Sequence, residues 1–175
     1  MQNMRSVKRR GTCGKHLQWA LYEDGHLVVT GFGDMDDYPQ HKTPWHADQE
    51  SITALEIHSG VTSIGTYAFE ACKNLACVVL PKSLTHIGQC AFEYCGKLTS
   101  IEFPEGMTHI GHCAFHYSGL TSLVIPRSIT HIGGRAFAGC RITSIVLPEN
   151  VVNLGPCPYT GGPDLFCKNT AAPMK

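Results

Sequence analysis

The chain has 175 residues, 43% of them hydrophobic, and its 14 lysines and arginines balance its 14 aspartates and glutamates. This length is typical of about one domain with a buried core. A chain without net charge lacks the positive surface with which proteins attract nucleic acid or anionic membranes. We therefore expect no nucleic-acid partner and no membrane insertion.

The first 12 residues are polar and contain a basic cluster, Arg5, Lys8, Arg9 and Arg10. A secretory signal needs about 7 to 15 apolar residues after such a cluster, and none follow here. No run elsewhere is long enough to span a bilayer. The sequence predicts that residues 1–12 form a disordered arm or a segment added to the natural chain.

Residues 13–51 have the pattern of a β-hairpin and a linker. Apolar residues alternate with others in two short runs, Leu17, Trp19 and Leu21, then Leu27 and Val29. The intervening Glu23-Asp24-Gly25 has the composition of a turn. We expect this hairpin to cap the apolar end of the structure that follows.

From residue 52 onward the sequence repeats every 22 or 23 residues. The anchor is an Ile/Leu-Gly dipeptide, found at Ile64-Gly65, Ile87-Gly88, Ile110-Gly111, Ile132-Gly133 and Leu154-Gly155. An Ala-Phe pair follows the first four anchors, at Ala68-Phe69, Ala91-Phe92, Ala114-Phe115 and Ala136-Phe137. We assign five coils to residues 52–155 and a degenerate last repeat with a C-terminal tail to residues 156–175.

Each repeat opens with an apolar run that predicts a short strand. In the third repeat Leu98, Ile101 and Phe103 are followed by Pro104, which cannot donate to a strand ladder. One coil cannot bury its own apolar edge, so we expect the five opening strands to stack into a parallel sheet. The anchor glycine can turn the chain with positive φ, and the phenyl ring is expected to fill the coil interior.

The repeat pattern L-x-x-I-x-I/F-P-x-x-[VLMI]-T-x-I-G-x-x-A-F-x-x-C resembles the BspA-like leucine-rich-repeat family, which is leucine-rich repeat type 5. The segment "LTSIEFPEGMTHIGHCAFHYSG" is a close copy, and "GTCGKHLQWALYEDGHLVVTGFGDMDDY" looks like the cap that precedes such repeats. The resemblance implies an α/β, mainly β, right-handed leucine-rich-repeat solenoid of about five coils with an N-terminal β-hairpin cap.

The same resemblance implies a function. Family members are found on the surfaces of anaerobic bacteria and some parasitic protists, where adhesion is the usual proposal. We therefore expect a non-catalytic repeat module that binds a protein or a glycan at the cell surface. Localisation is left open, because no signal peptide is visible in this chain.

The outward positions of the opening strands form the expected binding surface, which we name the strand face. Small hydroxyl residues and valines predominate among them. The face comprises Thr99, Ser100, Glu102, Thr121, Ser122, Val124, Thr143, Ser144 and Val146, and is expected to be the concave side of the solenoid. An undecorated surface without a partner is the alternative, because aromatic and arginine anchors are absent.

A histidine column is the most unusual feature of the sequence. His86, His109 and His131 precede Ile-Gly in three successive coils, so stacking should bring them together on an outer face. Such imidazoles could share a zinc or nickel ion, and with Cys90 and Cys113 they define an alternative metal- or thiol-dependent activity. A solvated polar ladder that titrates near the histidine pKa of about 6.5 is the favoured interpretation.

Most of the nine cysteines fall into two repeat slots. Cys72, Cys95 and Cys140 share a slot predicted to be buried, where a free cysteine behaves as a small hydrophobe. Cys90 and Cys113 share another slot and are predicted to be solvent-facing thiols. A disulfide between them is the alternative, because stacked coils bring Cα atoms close enough.

Signals for catalysis in the sequence are poor. Gly31-Phe32-Gly33 lacks the third glycine of a dinucleotide fingerprint, and Asp34, Asp36 and Asp37 lack the glycine and glutamate of an EF-hand. We therefore predict no enzyme and no cofactor. A third possibility is a self-assembling scaffold, with copies pairing through the uncapped C-terminal end.

Overall fold

The computed structural model describes residues 5–143 and 145–155, which form two β-sheets. In chain order the strands are β1 (Val7–Gly14), β2 (Leu17–Tyr22), β3 (His26–Gly31), β4 (Gly33–Asp34), β5 (Ala54–Ile57), β6 (Val61–Ile64), β7 (Cys77–Val79), β8 (His86–Ile87), β9 (His109–Ile110), β10 (His131–Ile132) and β11 (Asn153–Leu154). One 3-10 helix covers His46–Ser51. The described residues contain no α-helix, so the fold is mainly β and not α/β.

The predicted hairpin is confirmed. Strands β2 and β3 pair antiparallel, with Trp19 opposite Val29. Gly25 turns the chain with a φ of 82°, a backbone conformation that residues with a Cβ rarely adopt. Its N–H donates to the Tyr22 carbonyl at 3.0 Å. The alternating residues of β2 are buried because one face of the hairpin packs on the core.

The expectation of a disordered N-terminal arm is wrong for residues 7–12, which belong to strand β1. This strand pairs antiparallel with β2 along the edge of the first sheet. Residues 7–10 of this strand are exposed because the strand lies at the edge of the sheet. Lys8 and Arg9 both contact Asp48, at 3.0 and 2.8 Å. A polar segment can therefore form an edge strand, because the hydrogen bonds that pair it with β2 come from the backbone and require no apolar side chains.

The N-terminal segment supplies the strand that pairs with the first coil in each of the two sheets. Strand β3 pairs parallel with β5, and β4 pairs parallel with β6. The first sheet has the order β1-β2-β3-β5-β7, and the second has the order β4-β6-β8-β9-β10-β11. The cap therefore continues the ladder of the repeats at the end where the first coil would otherwise have free backbone groups.

The ladder that continues through all the coils runs through the anchor residues, whereas we predicted it through the opening runs, which pair in the first two coils alone among the described residues. All neighbours in the second sheet are parallel, and Ile64, Ile87, Ile110, Ile132 and Leu154 are in register. Opening runs form strands only in the first two coils, as β5 and β7. In the later coils, where residues 98–103, 120–125, 142–143 and 145–147 are described, they form none.

The opening runs of the later coils separate toward their prolines. Near the start of these runs the backbones of neighbouring coils are still hydrogen-bonded, since the Thr121 N–H donates to the Thr99 carbonyl at 3.1 Å. Clefts of about 450, 460 and 830 Å3 then lie between successive runs. The prolines that end these runs have no N–H with which to close the ladder.

The core contains an aromatic ladder, as the repeat predicts. Five rings stack face to face along the coils, with centroids 5.2 to 5.6 Å apart: Trp45, Phe69, Phe92, Phe115 and Phe137. The buried indole N–H of Trp45 donates to the Ala68 carbonyl at 2.8 Å. The phenyl ring of each repeat therefore joins its own coil to the next.

The anchor glycines serve close approach and not positive φ, which corrects our expectation. A Cβ placed on Gly111 would lie 2.5 Å from the carbonyl carbon of Gly88 in the preceding coil. The left-handed backbone occurs two residues later, at Cys90 and Cys113, with φ of 52° and 53°. Glycine is required at the anchor because the backbones of successive coils meet there.

Two of our expectations concern residues that the structure does not describe. The degenerate last repeat and tail over residues 156–175, with the contact between copies predicted there, belong to that part of the chain. Over the described residues, no helix has the length and apolar character needed to cross a membrane.

Candidate binding surface

The strand face is exposed wherever it is described. Its members from the third, fourth and fifth coils all have solvent-accessible side chains, namely Thr99, Ser100, Glu102, Thr121, Ser122, Val124, Thr143 and Val146. Ser144 lies outside the described residues. The opening runs thus present small side chains outward while their leucines and isoleucines face the core.

Exposed valines form an interrupted apolar stripe along the opening runs, with Glu102 in the same slot between Val79 and Val124. Val79, Val124 and Val146 occupy the same slot of their repeats and are 53%, 82% and 75% exposed. A cleft of about 830 Å3 lies between the last two, with Arg127 and Glu149 among its lining residues. An apolar side chain of a partner could enter this cleft while polar groups contact the charged residues around it.

The histidine column is a stack of three imidazole rings. His86 and His109 are 4.4 Å apart between ring centroids and tilted by 16°, and His109 and His131 are 4.2 Å apart and tilted by 8°. The preceding threonine hydroxyls contact the three Nδ1 atoms at 2.7 to 2.8 Å. The parallel register of β8, β9 and β10 produces this alignment.

The threonine hydroxyls determine the tautomer of the histidines. Thr85, Thr108 and Thr130 each donate to a backbone carbonyl of the preceding coil, at 3.0, 3.2 and 3.3 Å. A hydroxyl has a single proton, so each oxygen must accept from the neighbouring Nδ1–H. In the neutral form of each ring, the lone pair therefore lies on Nε2.

Stacking does not favour a shared metal ion. The lone pairs of stacked rings lie in nearly parallel planes, whereas zinc requires nitrogens that converge on one point at about 2.0 to 2.1 Å. The column instead has the geometry of the polar ladder expected from the sequence.

The stack should make stability depend on pH. Burial, together with His86 and His131, lowers the pKa of His109. A lowered pKa means that the folded chain binds fewer protons than the unfolded chain. This stability is then fully present above the unfolded histidine pKa of about 6.5 and is lost as the pH falls below that value and through the lowered pKa of His109 in the folded chain. Urea unfolding at a series of pH values should show this loss.

The substitution His109→Asn should reduce the pH dependence, because asparagine does not titrate and Asn153 occupies the same slot in the fifth coil. His112→Asn is the matched control, since His112 is exposed in the same coil and is not part of the stack. Equal pH slopes for the wild-type chain and His109→Asn would contradict the prediction.

The first cysteine slot is buried, as predicted. Cys72, Cys95 and Cys140 line the core, and the thiols of Cys95 and Cys140 donate to the carbonyls of Phe69 and Phe115 at 3.2 and 3.0 Å. Burial raises the pKa of Cys72 to about 12. These thiols are packing groups with carbonyl partners.

The second cysteine slot is also buried, so the prediction of solvent-facing thiols is wrong. Cys90 and Cys113 are 5% and 7% exposed, and both are free thiols. Burial and a hydrogen bond with Glu93 raise the pKa of Cys90 to about 12. A nucleophilic cysteine needs a lowered pKa, so this environment does not favour thiol-dependent chemistry.

Two features of the turns were missed in the sequence. Tyr94 and Tyr117 stack at 5.6 Å and remain 44% and 55% exposed, and Glu93 contacts His116 one coil away at 2.7 Å. Both pairs lie 23 residues apart, so aligning the residues around the Ala-Phe pairs in columns would have revealed them.

The repeat is matched by a family model. The model described as "BspA type Leucine rich repeat region" matches residues 46–162 in six copies. Our alignment on the anchor dipeptides yields five coils over a shorter range. No curated protein matches this chain.

Solved structures of bacterial leucine-rich-repeat proteins are similar to this chain. A leucine-rich repeat protein from Eubacterium ventriosum is 27% identical with a TM-score of 0.74, over 88% of this chain and 40% of that one. The T. pallidum leucine rich repeat protein is 27% identical with a TM-score of 0.59, over 82% of this chain and 81% of that one.

A leucine rich cell surface protein from Faecalibacterium prausnitzii supports the fold alone, with 23% identity and a TM-score of 0.52 over 86% of this chain and 51% of that one. The chain thus spans 40% of the length of the Eubacterium ventriosum protein. Since the repeat model matches more than half of its residues, the chain belongs to the BspA-type leucine-rich-repeat family.

Proposed function

We propose that the chain is a non-catalytic recognition module that binds a protein or a glycan through the strand face and acts in cell-surface adhesion. In this proposal the coils form a right-handed solenoid of about five turns with the strand face on its concave side. Membership of a leucine-rich-repeat family supports a non-catalytic role, because such proteins are generally not enzymes.

The valine stripe is the observation that supports this proposal most. Three valines in one repeat slot are more than half exposed, next to clefts that pass between the coils. Val124 and Val146 lie in adjacent coils, and contiguous exposed apolar patches bordered by polar groups mark interaction sites. Aliphatic side chains favour a protein segment with apolar residues over a glycan as the ligand.

The double substitution Val124→Asp and Val146→Asp should weaken ligand binding by about tenfold or more, because it places two charges in the apolar contact. Immobilised extracellular-matrix proteins and glycans would first be screened for binding to the wild-type chain. The dissociation constants of both chains for the captured ligand would then be compared.

Val152→Asp is the matched control, since Val152 is 77% exposed and lies outside the strand face. This control should bind like the wild-type chain. Unchanged binding by the double variant, or an equal loss in the control, would show that the strand face does not carry recognition.

A further inference from the structure

Two adjacent turns bring four residues of ligand type together. Cys90 and Glu93 belong to the second coil, and Cys113 and His116 occupy the same positions in the third. The Cys90 N–H donates to the His112 carbonyl at 2.9 Å, which places the two turns side by side. Within each turn, the N–H of Glu93 or His116 donates to the cysteine carbonyl three residues earlier, at 3.2 and 3.0 Å.

The donor atoms converge within a small buried volume. Cys90 Sγ, Cys113 Sγ and a carboxylate oxygen of Glu93 all lie within 4.8 Å of one another. The three residues are 5%, 7% and 8% exposed. His116 Nδ1 lies 2.7 Å from Glu93 Oε1, so the imidazole holds the carboxylate in place.

This cluster differs from the other buried cysteines. The thiols of Cys95 and Cys140 donate to backbone carbonyls of the core, whereas Cys90 and Cys113 face each other and a carboxylate. The Glu93 carboxylate is already hydrogen-bonded by His116, and the two sulfurs beside it are of the type that binds zinc. Among the described residues, this is the one group of three or more potential ligands with converging donor atoms.

We propose that Cys90, Cys113 and Glu93 bind one zinc ion, with His116 orienting the carboxylate. Zinc prefers thiolate ligands at about 2.3 Å and carboxylate oxygens at about 2.0 to 2.2 Å in a tetrahedral arrangement. Two sulfurs on one zinc ion are then about 3.8 Å apart. The present cluster would have to contract by about 1 Å at most, which side-chain rotation allows.

The fourth coordination position falls to water, because the Nδ1 atom of His116 is already bonded to the carboxylate. A histidine that holds a ligating carboxylate typically contributes about 10-fold to 100-fold in metal affinity. The bound ion would join the second and third coils and thereby stabilise the fold, because metal binding to the native state alone adds to its stability.

Titration of the reduced full-length chain with Zn²⁺, in competition with a chromophoric chelator, tests the site. We expect one ion per chain with a dissociation constant below about 1 μM. Cys113→Ser should abolish this binding, and His116→Asn should weaken it by about 10-fold to 100-fold. Co²⁺ as a probe should show the ultraviolet absorption of thiolate-to-metal charge transfer, which a carboxylate site lacks.

Two variants serve as controls that should bind like the wild-type chain. Cys77→Ser removes an exposed thiol outside the cluster, and His109→Asn changes the centre of the histidine stack. In addition, Zn²⁺ should raise the melting temperature of the wild-type chain but not that of Glu93→Gln, which keeps the size of the side chain.

Three results would overturn the proposal. The first is that the reduced chain shows no saturable binding tighter than about 10 μM. The second is binding that persists in Cys113→Ser but is lost in His109→Asn, which would place the ion on the histidine stack. The third is a Cys90–Cys113 disulfide that forms readily in a chain whose reduced form does not bind Zn²⁺.

Discussion

Replacing Phe115 with alanine should lower the free energy of unfolding by about 3 to 5 kcal/mol. The ring is fully buried in the middle of the aromatic ladder. It stacks on Phe92 at 5.3 Å and on Phe137 at 5.6 Å, and it also contacts Phe103. Because each coil of a repeat protein is stabilised by its neighbours, one cavity here weakens two interfaces.

Urea denaturation followed by circular dichroism would measure this loss. Phe32→Ala is the control, since Phe32 is 61% exposed, and it should change the free energy of unfolding by no more than about 0.5 kcal/mol. If the two substitutions had equal effects, the phenyl ladder would not be the principal support of the coils.

Features that recur with the repeat period could be predicted from the sequence. The phenyl ring of each repeat is buried at the same position, and the histidines that precede Ile-Gly stack as expected. Because stacked coils place equivalent residues one above another, a column in the alignment becomes a column in space. The hairpin was also predictable, because its alternation and turn are local signals.

Strand β1 was missed because hydrophobic periodicity detects only strands that face the core. Residues 7–12 are polar and mostly exposed, and they gain their order from backbone pairing with β2. The sequence also did not reveal that the opening runs of the later coils fail to pair as strands. Each run has a strand pattern, but pairing depends on the spacing between coils, which one repeat does not encode.

The environment of Cys90 and Cys113 was also wrongly predicted. Their slot contains Tyr67 and Arg135 in neighbouring coils, which suggested a surface position. All four described residues of this slot share a left-handed backbone, yet the two thiols are buried near each other and near Glu93. A non-glycine residue with positive φ is uncommon, and the sequence of the repeat shows no glycine or asparagine there to signal it.

The exposure of the strand face could be predicted, whereas the identity of its ligand could not. Alternation along the opening runs places Thr99, Thr121 and Val124 outward, and they are exposed. Recognition depends on side chains that are not needed for folding, so the repeat pattern does not constrain them.

The anchor glycines provide a second test of coil stacking. Gly111→Ala should lower the free energy of unfolding by about 1 to 3 kcal/mol or more, because the added methyl group has no space. Its Cβ would lie 2.5 Å from the Gly88 carbonyl carbon and 2.7 Å from the Gln89 nitrogen. Both are backbone atoms, so the two coils would have to separate at the second sheet.

Separation at this point would also strain the histidine stack, because His109 precedes the anchor by two residues and pairs with His86 in the same ladder. Gly96→Ala is the matched control, since a Cβ there meets no atom within 4 Å. Thermal and urea unfolding should show a large loss for Gly111→Ala and almost none for Gly96→Ala. Equal stability of the two variants would mean that the coils can separate at the anchors without cost, and that the aromatic ladder alone determines their spacing.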